Sequence, residues 1–353
     1  MKKLYHLLVT SYKLHVTNLL CRISDIGYRI SFVAFCFLPA AAFAQPPVPM
    51  LEAEVTDVVF SCPGTVEITY YLPVSGCVEV TLEYSPDKCT WNPVPGAEGD
   101  LGPQISGGSD KKITWDAAAH NASFGKLYFR VLYPAAPTCD ELDGVMINGK
   151  CWAKTNLDVG GNFAIDHAYN KSALYQWGRL ADGHAARNST TYGTQSSTDA
   201  PGHDMFIIGF SDWRSSQNDF LWNSGTETCP VKTDFDPCPE HWRVPTRTEL
   251  ETLGTSANQT YVTKEWKTNF EVSGVNGWLC NDNSSGSSLF LPVTGLRYAN
   301  NGTFNDSYTA YGFYWSSTPN GTDAYSLYFN SGNFGVAYYI RANGISVRCV
   351  KEN

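Results

Sequence analysis

No apolar run in this 353-residue chain is long enough to span a bilayer: the longest, Ile30 to Ala44, covers about 15 residues where a helix needs roughly 20. Basic charge is also scarce. There are 25 Lys and Arg against 34 Asp and Glu, a formal net charge of −9, and such a surface repels phosphate backbones, which sets nucleic acid aside as a partner. The short catalytic signatures are missing: there is no G-x-S-x-G, no H-E-x-x-H, no G-x-x-x-x-G-K-[ST], and no G-x-G-x-x-G after a strand pattern. The cysteines do not cluster as metal ligands either, since the closest later spacing, Cys229 to Cys238, is too wide for paired C-x2-C and structural zinc is not indicated. The histidines after residue 44 (His120, His167, His184, His203 and His241) are scattered. Asp166-His167 and His203-Asp204 are the neighbours a site could use, but no catalytic residue is assigned and the chain is read as a non-enzyme.

What is present begins with a leader. Lys2, Lys3, Lys13, Arg22 and Arg29 precede the apolar run, which ends Ala42-Phe43-Ala44, so residues 1–44 read as a secretory signal with an A-x-A cleavage site; an uncleaved anchor is the alternative. Its removal leaves 20 basic against 33 acidic residues, a formal charge of −13, and nine of the eleven cysteines. Thiols outside the cytoplasm oxidise, so disulfides are expected, and the odd count leaves at least one thiol free or paired to another molecule. The expected location is secreted or cell surface, with no membrane span after cleavage.

Residues 45–50, Gln-Pro-Pro-Val-Pro-Met, read as a Pro-rich linker. Strict alternation follows in Val66, Ile68, Tyr70, Leu72, in Val78, Val80, Leu82, Tyr84, and in Leu127, Phe129, Val131, Tyr133. Residues 51–135 are therefore expected to form an all-β sandwich of immunoglobulin or fibronectin type III kind, with Trp115 in its core. Pro134-Ala-Ala-Pro137 marks a boundary. Beyond it lie eight of the ten Trp, amid Asn, Ser, Gly and Tyr. Asn148-Gly149 predicts a tight hairpin between Val145-Met146-Ile147 and Lys150-Cys151-Trp152. Thr246 with Glu249 predicts a capped helix carrying Leu250 and Leu253 up to Gly254. A weaker helix is expected over Ser172–Leu180, and a terminal strand over Ile345–Val350. The second module thus reads as α+β.

Six blocks in this module occur in a recognisable order: Asp143-Gly-Val-Met-Ile-Asn-Gly-Lys-Cys-Trp-Ala-Lys-Thr-Asn-Leu157; Tyr175-Gln-Trp-Gly178; Asp236-Pro-Cys-Pro-Glu-His-Trp-Arg-Val-Pro-Thr246 with Glu249-Leu250; Phe290-Leu-Pro-Val-Thr-Gly295; Tyr314-Trp-Ser-Ser317; and Ser346-Val-Arg-Cys-Val350. Residues 139–353 thereby resemble the Fibrobacter succinogenes major paralogous domain, a family common in exported proteins of Bacteroidetes. The resemblance implies a C-type lectin-like fold and a disulfide between Cys238 and Cys349. Cys139 and Cys151, which flank the hairpin, are then placed to bridge locally, and Cys229 and Cys280 remain as a third pair. Kinship with formylglycine-generating enzymes does not carry their activity over, because the late segment offers only Cys280 and Cys349.

The segment Tyr298 to Asn343 combines aromatics with Asn, Ser and Gly, the composition of adaptable binding surfaces. Tyr298, Asn300, Tyr308, Tyr311, Tyr328, Asn330, Asn333 and Tyr338 are the candidate ligand residues; half-core aromatics at period 2, such as Tyr325, Leu327 and Phe329, are the competing explanation. No cofactor is required, although calcium is possible through the oxygens of Asp282, Asp306 and Asp323, each in a turn-like stretch. The expected function is recognition or adhesion through these C-terminal loops, with an extracellular glycan or protein as ligand. The alternatives are a structural subunit of a surface appendage or matrix, and an extracellular enzyme with an unrecognised site.

Overall fold

The computed structural model describes residues 49–61, 64–120, 127–168, 172–255, 260–270, 274–304 and 310–352. The signal expected over 1–44, and all but the end of the linker expected over 45–50, lie outside the described residues. The chain divides into two compact units, Met1–Ala135 and Ala136–Asn353, within the segment bounded by Pro134 and Pro137.

In the first unit the alternating runs become long antiparallel strands: β1 (Met50–Ser61), β2 (Thr65–Ser85), β3 (Gly102–Asp116) and β4 (Tyr128–Pro134). β1 pairs with the first part of β2, Phe60 opposite Val66, and its own beginning pairs with β4, Met50 opposite Pro134. β4 in turn pairs with the second part of β2, Thr81 opposite Leu132, so the sheet closes on itself. The two-sheet sandwich expected for residues 51–135 does not form. The reason lies in β2, which runs on for 21 residues instead of turning, and shifts register against β3 between Leu72 and Cys77. Opposite that shift a Cβ on Gly107 would sit 1.8 Å from the Val74 carbonyl oxygen, so only glycine fits. Val66, Ile68, Tyr70, Leu72, Val80 and Ile113 point inward around Trp115, whose indole N–H donates to the Pro95 carbonyl at 3.0 Å.

The second unit opens with the hairpin β5 (Val145–Ile147) and β6 (Lys150–Trp152). Asn148 and Gly149 adopt φ of 47° and 73°, the two positive values that a type I′ turn needs. The short strand β7 (Trp242–Arg243) leads into α1 (Arg247–Glu251), then come β8 (Val262–Phe270), β9 (Val275–Asp282) and β10 (Ser288–Pro292) as one antiparallel sheet. A second three-stranded sheet holds β11 (Gly312–Asn320), β12 (Asp323–Phe329) and β13 (Phe334–Ile340). The last strand, β14 (Val350–Lys351), lies between β7 and β6, so the end of the chain pairs with the second strand of the unit's opening hairpin.

The α+β, C-type lectin-like expectation for this unit is overturned: among the described residues α1 is the one helix, five residues long, and the remainder is small sheets and loops. α1 starts at the expected cap, with the Thr246 side chain accepting from the Glu249 N–H while Glu249 reaches back to the Thr246 N–H. Residues 172–180 contain no helix. Tyr175–Gln176 instead pairs with Gly344–Ile345, and Ser172 through Arg179 are buried on every side, leaving no polar face for a surface helix to present.

Backbone carbonyls of this loop-rich unit are satisfied by buried donors. The indole N–H groups of Trp177, Trp213, Trp222 and Trp315 donate to Ser316, Trp177, Arg179 and Tyr175 carbonyls. Arg297 binds the Gly302, Ala186 and Ser189 carbonyls in the same way. Such bonds stand in for ladder hydrogen bonds that irregular chain cannot make with itself.

Within the unit Cys139 bridges Cys151 and Cys238 bridges Cys349, and bridges of this kind form in oxidising compartments. The expected Cys229–Cys280 pair is corrected: Cys280 is a free, fully buried thiol on β9, and Cys229 is disulfide-bonded elsewhere. Among the described residues no helix is long and apolar enough to cross a membrane.

Candidate functional site

In the sheet β11–β12–β13 the first two strands are largely buried on both faces and the edge strand β13 is half-buried, and the register explains why aromatics occur at consecutive positions. Phe313 lies opposite Tyr328, and Tyr314 opposite Leu327. Alternation then places Phe313, Trp315, Tyr328 and Tyr339 on one face, and Tyr314, Leu327, Phe329 and Phe334 on the other. The first face packs into the core of Trp177, Trp213 and Trp222; the second packs into the core of Trp152, Leu250 and Leu291. Gly312 is required at the strand start, because a Cβ there would meet the Phe329 ring at 2.0 Å.

On the first face, Tyr298, Tyr311, Phe313, Tyr328 and Tyr339 converge with Leu296 and Asn343 around a pocket of about 260 Å³. Tyr311 and Tyr328 stack at 5.8 Å between centroids, and Phe313 meets Tyr339 edge-on at 5.3 Å. Two backbone turns fix the rims. The Thr294 and Gly295 N–H groups both donate to the Tyr311 carbonyl at 3.1 Å, and the Gly302 N–H closes on the Tyr298 carbonyl at 2.8 Å. Asn343 is oriented by the Ala299 N–H, which donates to its carboxamide oxygen at 3.0 Å and leaves the amide N–H₂ as the polar donor at the pocket. Among the described residues no charged side chain lines this pocket.

Three of the sequence-expected residues, Tyr298, Tyr311 and Tyr328, are thus brought together. The others are not. Tyr338 projects from the opposite face of β13, 60% exposed, edge-on to Tyr325 at 6.5 Å. Asn330 and Asn333 form the β12–β13 turn, where the Asn330 side-chain oxygen accepts from the Gly332 and Asn333 N–H groups. Asn300 is exposed and does not line the pocket. Tyr308 lies outside the described residues, as does Asp306. Phe313, Tyr339, Leu296 and Asn343 were not singled out as ligand residues; for Phe313 and Tyr339 the signal was their even spacing from Trp315 and Ala337 across the sheet.

The calcium candidates that are described do not assemble a cation site. Asp282 Oδ1 accepts from the Ser284 N–H, the Ser284 hydroxyl and the Ser285 N–H, and its Oδ2 accepts from the Asn148 N–H at 2.5 Å. Those bonds, led by the Ser284 hydroxyl, hold its carboxyl well below the usual range, and they occupy the lone pairs a metal would need. Asp323 is raised by partial burial, with Arg341 opposing. Among the described residues no group of three or more His, Cys, Asp or Glu is placed to hold a metal.

The sequence neighbours considered for acid–base work are also apart in function. His167 packs edge-on against Phe290 at 5.2 Å while the Asp166 carboxylate accepts from the Ala168 N–H. His203 Nδ1 accepts from the Met205 N–H. Among the described residues the close Asp–His pair is Asp182–His184, with Asp182 Oδ1 2.5 Å from His184 Nδ1 and Oδ2 2.6 Å from Arg179 Nη2. His184 Nε2 accepts from the Gln176 N–H at 3.0 Å, which fixes the Nδ1–H tautomer and leaves no ring nitrogen for a substrate.

Burial, helped by the Arg179 charge, pushes His184 down to about 4. The neutral ring is therefore the folded form, its contribution is complete above the ordinary value near 6.5, and it is lost as pH falls toward 4. His167, also driven down by burial to about 4, acts in the same direction. Between pH 6.5 and 5 the protein is expected to lose on the order of 2 kcal/mol through His184. Urea unfolding at the two pH values, in wild type and His184→Gln, measures it; equal pH slopes in the two proteins would remove His184 as the cause.

A family described as a domain of unknown function, DUF8237, matches residues 275–350, well short of half the chain. The match spans β9 through the start of β14 and contains every residue of the aromatic pocket. No curated protein matches the chain, and no solved structure does.

Proposed function

We propose that the chain is an exported recognition protein that seats a neutral glycan in the aromatic pocket of its second unit. The observation that carries this is the convergence of five aromatic rings and one oriented carboxamide on a space of about 260 Å³. Rings offer flat apolar faces to the C–H faces of a pyranose, and the Asn343 N–H₂ offers a donor to a hydroxyl or carbonyl oxygen. The volume lies just below the range of drug-sized ligand pockets, which suits a single sugar ring. The described lining residues, all uncharged, favour an uncharged sugar. Export is supported by the basic and apolar leader with its A-x-A end, by the disulfides, and by the resemblance of the ordered blocks to the Fibrobacter succinogenes major paralogous domain.

The test is a glycan array probed with the full disulfide-bonded chain, followed by calorimetry on the best ligand. Tyr328→Ala is expected to weaken binding at least tenfold, about 1.4 kcal/mol, since it removes one stacked ring and the hydroxyl that accepts from Asn330 Nδ2. A natively folded protein that binds no glycan on the array, or binds one equally well as Tyr328→Ala, would refute the reading. A second reading, a structural subunit assembling edge to edge, is favoured by β13, an edge strand with neither charge nor proline over Phe334–Ile340. Sedimentation showing only monomer at high concentration would count against that reading.

A further inference from the structure

The opposite face of the same sheet ends in a second concavity, about 560 Å³ in volume, where the start of β8, the middle of β9 and the β12–β13 turn meet. Thr263, Lys264, Trp278, Asn333 and Phe334 line it. Trp278 is half-exposed, and its indole N–H is already committed to the Asn330 carbonyl at 2.9 Å. The indole is further held edge-on by Trp266 at 5.5 Å and Phe334 at 6.1 Å. With its one donor engaged, what Trp278 can give a ligand is its flat face.

Lys264 supplies the charge. Its ammonium sits 4.1 Å above the Phe334 ring and donates to the Gly254 carbonyl. It pairs with no carboxylate among the described residues, whereas Lys150, Lys154, Lys232 and Lys267 of the same unit each do. In a protein whose formal charge is −9, a lysine held in a groove without a counter-ion is a selective feature. Asn333 and Thr263, both exposed at the rim, add amide and hydroxyl groups suited to a polyhydroxylated partner.

We propose that this groove is a second ligand site, for an acidic saccharide whose sugar ring lies on the Trp278 face and whose carboxylate pairs with the Lys264 ammonium. A phosphate polyanion is disfavoured, because among the described residues no arginine and no second cation lines the groove, and the protein as a whole is acidic. An acidic peptide could use the lysine but would leave the flat indole face unexplained. The groove is about twice the volume of the aromatic pocket, so it accommodates more than one sugar unit.

The experiment is a titration of the full chain with trigalacturonate, read by tryptophan fluorescence and by calorimetry, alongside its fully methyl-esterified form and an oligo-aspartate peptide of similar charge. Trigalacturonate is expected to bind, with affinity falling as salt rises, and the methyl ester to bind about tenfold more weakly. Lys264→Gln should lose about tenfold, Lys264→Arg should largely retain binding, and Trp278→Ala should abolish it. Tyr298→Ala, in the aromatic pocket and away from the groove lining, should leave it unchanged, which separates this site from the aromatic pocket. Each variant is first checked for a native thermal transition, and Lys264→Arg keeps the charge test valid if Trp278→Ala fails to fold. Absence of trigalacturonate binding by folded wild type, equal affinity for ester and acid, or preference for the peptide would each overturn the proposal.

Discussion

Replacing both Cys238 and Cys349 by Ser is expected to destabilise the second unit by about 4 kcal/mol, lowering its thermal midpoint by roughly 10 °C. The bridge joins residues 111 apart in sequence, and a cross-link of that span removes a large share of the unfolded chain's freedom. Both sulfurs are buried, so the unbridged side chains would also pack less well. The companion bridge, Cys139–Cys151, spans 12 residues, and its double Ser replacement should cost about 3 kcal/mol or less on the same entropic argument. Guanidinium unfolding of the two double variants in parallel decides the matter. If the short bridge proves the more stabilising, loop entropy is not the source.

The second large effect concerns a buried charge cluster at α1. Arg243, 2% exposed, grips Glu249, 4% exposed, through two bonds of 2.7 and 2.6 Å, and Lys150 approaches the same carboxylate at 3.3 Å. Glu249 also accepts the Thr246 N–H at 2.9 Å, completing the helix cap. Arg243→Met would leave a buried carboxylate with half its partners and should cost 3–5 kcal/mol, on the order of other broken buried pairs. Pairing it with Glu249→Gln should recover part of the loss, because the amide keeps the cap oxygen and carries no charge. Burial opposes ionisation of Glu249, but Arg243 and then Lys150 outweigh it and hold the carboxyl at about 2. Its contribution is thus full above the ordinary value near 4.5 and is lost as pH falls toward 2. The wild-type stability decline across that window should flatten in the double variant, as read from unfolding midpoints at pH 5 and pH 3. An unchanged slope would mean that other carboxylates, Asp182 among them, dominate acid unfolding.

Several local features were legible from the residues because each rests on short-range chemistry. The cap at Thr246 and Glu249, the positive φ values at Asn148-Gly149 and the burial of Trp115 depend on a few neighbours. Regional architecture was less legible. The run Ser172–Arg179 mimics an amphipathic helix through Leu174 and Trp177, yet its Ser, Gln and Arg residues are buried too, engaged by partners far along the chain. In the first unit, nothing local in β2 announces that one strand will serve both halves of a closed sheet. The candidate site was half legible: composition located the aromatic segment, but with both faces of β11 and β12 largely buried, alternation alone cannot say which side holds a pocket. Lys264 and Trp278 escaped notice because they precede that segment and reach it only through the pairing of β8 with β9 and the Trp278 bond to Asn330.

The position of β14 has a kinetic consequence. Val350 is hydrogen-bonded between Trp152 and Arg243, so a sheet begun near residue 145 has its inner strand supplied about two hundred positions later. Contacts of that separation raise the contact order and slow folding, since loop closure precedes any reward. During synthesis, β6 and β7 therefore wait with open edges, and the nascent second unit passes through an aggregation-exposed interval that ends only when residue 350 arrives.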